Sequence, residues 1–92
     1  MTTTTKPILP PAFSKLMEAK LQENKHKRHW STCEHLWLLA RMVEEVGELS
    51  SLMNRDRGLP EGASVRAIAR ECADVANFAM MIADNYGGLD DE

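Results

Sequence analysis

Apolar residues recur at helical spacing in three separate stretches of this chain. Phe13, Leu16, Met17 and Leu21 fall three to four residues apart, the period of one helix face. They predict a first helix over Ala12–Asn24 with a single apolar stripe. A second helix is predicted from about Thr32 to Asn54, opened by a capping box with Ser31 as N-cap and Glu34 three residues on. Its expected inward face is Leu36, Leu39, Ala40, Val43, Val46, Gly47 and Ser50, which leaves Leu38, Met42, Leu49, Leu52 and Met53 outside it. A third helix is predicted from an N-cap at Ser64 to Asn85 or Tyr86, ended by Gly87-Gly88. Its apolar positions are Ala67, Ile68, Val75, Phe78, Met81 and Ile82. Gly58, Pro60 and Gly62 mark a loop between the second and third helices. Strand-type alternation is absent, so the expected class is all-α.

Length and composition narrow the picture. The 92 residues suffice for one small domain. It is expected over 12–86, after an arm over 1–11 rich in threonine and proline and before an acidic tail over 87–92. A net charge of −3 gives no nucleic-acid footprint. The apolar runs fall short of the roughly 20 residues of a membrane span, and the start lacks an apolar signal core. Two cysteines, Cys33 and Cys72, make neither a disulfide framework nor a zinc motif. A cytoplasmic protein is expected.

The acids change the picture most. Glu44, Glu45 and Glu48 sit together on the second helix, and Glu71 and Asp74 on the third. Residues three and four apart share a helix face, so Glu45 with Glu48 and Glu71 with Asp74 form two acidic combs. Like charges at that spacing disfavour a bare helix by roughly 0.2–0.5 kcal/mol per pair. Glu71 moreover interrupts the apolar stripe of its helix, and a carboxylate is rarely buried unless it is paired or bound to metal. Two facing combs predict a site for a hard divalent cation, and Mg²⁺ commonly shares its ligands with substrate phosphates. The plain alternative is neutralisation by Arg41, Arg66 or Arg70. Arg41 stands four residues before Glu45, at ion-pair spacing.

A basic strip, Lys25-His26-Lys27-Arg28-His29-Trp30, precedes the second helix. It is either a solvated loop or a surface for phosphate and base. Lys25, Lys27 and Arg28 suit phosphate. Trp30 and Trp37 are candidate stacking platforms for a base, and His26, His29 and Asn77 candidate readers of its edge. Trp37 reads equally as core.

The pattern Glu44-Glu45-x-x-Glu48, then 22 residues, then Glu71-x-x-Asp74-Val75-Ala76-Asn77, resembles the signature of MazG-like all-α nucleoside triphosphate pyrophosphohydrolases. The Lys-His-Lys-x-x-Trp stretch and the Ser31-Thr32 opening resemble small phage-type members, and the similarity runs from about Leu21 to Asn85. It implies a helical hairpin domain that forms a four-helix bundle core in homodimers or homotetramers. It implies Mg²⁺-dependent hydrolysis of (deoxy)nucleoside triphosphates, purine ones among them, between the α and β phosphates, yielding monophosphate and pyrophosphate. By resemblance Glu45, Glu48, Glu71 and Asp74 match the magnesium ligands, with Mn²⁺ as a substitute, and Glu44 or Glu45 is the candidate general base. Larger members carry a further basic helix. Here Lys25, Lys27 and Arg28, or a partner subunit, are expected to supply the phosphate-binding cations.

Two rival functions stay open at this point. A non-catalytic helical module would dock a basic partner on the acidic face. A di-iron bundle would favour Glu-x-x-His pairs, which do not follow the motif glutamates. Self-association is expected on physical grounds as well. Leu38, Met42, Leu49, Leu52 and Met53 on the second helix, with Met80 and Met81 on the third, exceed what one three-helix layer covers.

Overall fold

The computed structural model describes residues 6–55 and 63–89. Among these residues three helices are formed: α1 (Pro11–Glu23), α2 (His35–Arg55) and α3 (Ala63–Asn85), with a single 3₁₀ turn at Trp30–Thr32 ahead of α2. No strand occurs among the described residues, so the all-α expectation holds. None of these helices is long and apolar enough to cross a membrane. The loop signalled by Gly58, Pro60 and Gly62, the first five residues of the arm and the last three of the tail lie outside the described residues.

The helix ends follow local chemistry. Proline opens α1, where its missing N–H costs nothing. Gly87 closes α3 with φ at 83°. Its N–H donates to the Asp84 carbonyl, and that of Gly88 to the Ala83 carbonyl, both at 2.9 Å. This is the paired Schellman closure in which a left-handed glycine satisfies the last carbonyls.

The start of α2 departs from expectation. Ser31 does not cap it. The His29 ring accepts from the Ser31 N–H at 3.1 Å, and the Thr32 hydroxyl donates to the His29 carbonyl at 2.8 Å. These local bonds form the 3₁₀ turn instead and delay α2 to His35. Trp30 pins the turn to the far end of α3. Its indole N–H donates to Asp84 Oδ2 at 2.9 Å, and Asn85 Nδ2 donates to its carbonyl at 2.9 Å.

α3 is the central element. It packs on α2 and on α1, while α1 and α2 do not pack on each other. The core is small, with Leu38 and Ala73 its fully buried apolar residues. The side of α2 turned to α3 is not the one expected. Leu38 and Glu45 are buried and Met42, Leu49 and Leu52 half-buried, whereas Leu36, Leu39, Val43, Val46 and Met53 are exposed. α2 carries two apolar seams, each spaced alternately three and four residues and about a third of a turn apart at 3.6 residues per turn. One protomer covers only one of them. The covered seam is the one that includes Glu45, and it brings that acid to α3.

Candidate metal and nucleotide site

Glu45, Glu71 and Asp74 converge, with one oxygen from each lying within 4.8 Å of the others. Glu45 comes from the covered seam of α2, and the other two come from the stripe that α3 presents to its neighbours. Glu45 is only 7% exposed, and Arg41, one turn earlier, approaches it at 3.7 Å. The Oε2 of Glu71 is buried and meets no hydrogen-bond donor. Burial is the main cause that pushes the Glu71 carboxyl up, to about 8. The neighbouring Glu45 carboxylate adds to it, as do the charges of Glu48 and Asp74. Burial likewise raises Asp74, while Lys20 beside it pulls the other way. The donor set is all hard oxygen, and one of those oxygens lacks a partner. Both features fit a hard divalent cation.

The other motif acids stand apart. Glu48 is exposed and lies outside the converging trio, near enough to repel Glu71. Glu44 is exposed and ion-paired with Arg41, whose guanidinium also lies 5.7 Å from the centre of the Phe78 ring.

A cleft of about 740 Å³ opens between α1 and α2 over α3, and Glu45 and Asp74 lie at its edge. Of the basic-aromatic strip it takes in Lys25, Lys27, Arg28, His29 and Trp30, and Trp37 faces it from α2. His26 and Asn77 are not on its wall. Trp37 is 49% exposed, so it is not a core residue within the protomer. The His29 and Trp30 rings stack with centroids 4.1 Å apart, and the Asp84 bond fixes the tilt of the Trp30 ring. Asn77, 3% exposed, is a strut: its Nδ2 donates to the Met17 carbonyl at 3.0 Å and ties α3 to α1. Its Oδ1 is buried without a partner.

The site contains residues that the sequence pattern did not single out. Lys20 of α1 approaches Asp74 at 3.3 Å and Glu23 at 3.7 Å, with its side chain 14% exposed. It stands on the stripe of Leu16, Met17 and Leu21, so a charge on an apolar face was its signal, as for Glu71 on α3. Cys33, Phe78 and Met81 also line the cleft, where they supply apolar surface. Neither a family model, nor a curated protein, nor a solved structure matches the chain.

Proposed function

We propose that the protein is a Mg²⁺-dependent nucleoside triphosphate pyrophosphohydrolase of the MazG-like kind, acting on (deoxy)nucleoside triphosphates, purine ones among them. The observation that carries this reading is the meeting of Glu45, Glu71 and Asp74 at the edge of a cleft that also holds Trp30, Trp37 and the cations of residues 25–28. The aromatic part suits a base, because stacking on an indole face tolerates any base. Lys25, Lys27 and Arg28 suit phosphate oxygens. Both stretches line one cleft, which supports a ligand that has a base at one end and phosphates at the other.

Glu45, Glu71 and Asp74 would hold Mg²⁺, with Mn²⁺ as substitute and Glu48 one helical turn along. The ion, when bound, neutralises phosphate charge and makes a water more acidic. The chain's own part is to fix the reacting groups and to take a proton. A water oxygen bonds to the α-phosphorus, the bond from that phosphorus to the bridging oxygen breaks, and pyrophosphate leaves with the electron pair. A carboxylate beside the water accepts its proton. Glu45 is the better placed candidate, since it stands in the trio while Glu44 is turned to solvent. The outer seam of α2, at 36, 39, 43, 46, 50 and 53, has the three-four spacing of a helix-helix interface. It supports a homodimer, alone or within a tetramer, in which two helices from each protomer form a four-helix core.

The test is a panel of nucleoside triphosphates incubated with the protein and Mg²⁺, with pyrophosphate and orthophosphate followed separately. Pyrophosphate with a monophosphate product is expected, and none in chelator or with Glu71→Gln. Orthophosphate release, or no release at all with a melting temperature indifferent to Mg²⁺, would overturn the proposal.

A further inference from the structure

On the other side of Lys20 and Asp74 lies a second cleft, of about 500 Å³, lined also by Glu71, Arg66 and Arg70. Lys20 and Asp74 belong to both clefts. The carboxylate trio therefore stands on the boundary between an aromatic cleft and a cationic one. One carboxylate already sits against the cations. Glu23, at the end of α1, accepts two hydrogen bonds from Arg70 Nη2, at 2.8 and 2.9 Å, and Lys20 approaches it at 3.7 Å. A guanidinium and an ammonium closing on one oxyanion is how proteins bind phosphate. Here the oxyanion belongs to the chain itself, on a side chain that is about half exposed, 47%. Arg70 holds the Glu23 carboxyl below its usual range, so it is an anion at neutral pH.

We propose that this second cleft is the site of the β- and γ-phosphates, and of pyrophosphate once formed. Lys20, Arg70 and Arg66 hold them, and Glu23 occupies the Lys20–Arg70 pair while no nucleotide is bound. The inference rests on the hydrolase reading for its substrate, and it explains where cleavage falls. A triphosphate with its base against the tryptophans meets the trio and the cations of residues 25–28 at its α-phosphate, and lays the β- and γ-phosphates among Lys20, Arg66 and Arg70. Glu23 has to leave for the phosphates to enter, so it competes with product as well as with substrate.

The experiment is calorimetric titration of inorganic pyrophosphate, with Mg²⁺ present, into the wild type, Glu23→Gln and Arg70→Gln. A nucleoside monophosphate is titrated separately and followed by tryptophan fluorescence. Glu23→Gln should tighten pyrophosphate binding about threefold, the scale of one exposed ion pair. Arg70→Gln should weaken it about tenfold, within what one charge-assisted hydrogen bond sustains, and leave monophosphate affinity unchanged. A purely structural Glu23–Arg70 bridge would instead let both variants lower the melting temperature and leave pyrophosphate affinity alone. That outcome overturns the inference, as does weaker pyrophosphate binding in Glu23→Gln, which stays informative should Arg70→Gln fail to fold. Pyrophosphate binding that follows this pattern without turnover of any triphosphate upholds the anion site and refutes the hydrolase. Turnover with pyrophosphate binding indifferent to Arg70 does the reverse.

Discussion

At the scale of single residues, Glu71 decides most. Its carboxyl, ordinarily near 4.5, is pushed up to about 8 in the fold. The metal-free folded protein therefore keeps a proton that the unfolded chain releases between these values. Stability depends on pH through the difference in bound protons. The contribution of Glu71 is fully present below pH 4.5, falls as pH rises through the window and is gone above about 8. Asp74, also raised, acts in the same sense. In chelator the melting temperature should thus fall from pH 5 to 9. The gain on adding Mg²⁺ should grow over the same range, because the ion competes with that proton. Glu71→Gln should flatten the first trend, abolish the second and end turnover while the helical circular-dichroism signal persists. A fully active Glu71→Gln variant would sink the metal-site reading. Trp37 makes the complementary test. Truncating a core aromatic costs about 3–5 kcal/mol, yet Trp37 is half exposed. Trp37→Ala should stay below that range in a thermal melt. Its nucleotide affinity should fall by the roughly 1–3 kcal/mol that stacking on one aromatic supplies. A large stability loss with an unchanged KM would return Trp37 to the core.

At the scale of elements, the ends of α3 and the faces of α2 show what a sequence does and does not reveal. Gly87-Gly88 was legible as a helix end because its chemistry is local: a left-handed residue has to follow the last turn, and glycine adopts it without strain. Gly87→Ala should cost about 1 kcal/mol, read as a lower melting temperature. Its effect should extend to the aromatic cleft, since Asp84 and Asn85 in that last turn hold Trp30. The helices themselves were legible for the same reason of short-range periodicity. So was the meeting of acids from α2 and α3, since Glu71 violated its own stripe, but of the two expected combs Glu48 falls outside the converging trio. The start of α2 was not, because Ser31 had two local uses for its polar groups and spacing cannot rank a capping box against a turn closed by His29. The inward face of α2 was misjudged because both of its seams are apolar. Only packing against α3 settles which one turns in, and the seam that does so carries the charged Glu45, a residue that composition places at the surface. Lys20 is hidden by the apolar periodicity of α1, though a lysine on that stripe calls for an acid across from it, here Asp74.

At the scale of the whole molecule, the question is what covers the second seam. Leu36, Leu39, Val43, Val46 and Met53 form one exposed line along α2. A seam with this spacing packs best against another like it, and a two-fold axis presents each copy with its own seam. Glu45 turns inward to α3, and Glu44 and Glu48, at about 100° per residue, lie on the side of α2 away from this seam, so such a pairing brings the two outer seams together without burying further charge. Val43→Glu tests this directly. Val43 is 61% exposed in the protomer, so the change should leave the protomer fold intact. Across a two-fold seam it would place two carboxylates in an apolar contact, where desolvation of unpaired charge is costly. Sedimentation of the wild type at micromolar concentration should then give at least twice the 10.3 kDa of one chain, and that of Val43→Glu should give the single-chain value. Turnover should fall with it, because α2 carries Glu45 and loses the support of the neighbouring helices. A wild type that sediments as one chain would refute the pairing. A single-chain Val43→Glu with undiminished turnover would show that the carboxylate trio needs only the three helices of one protomer.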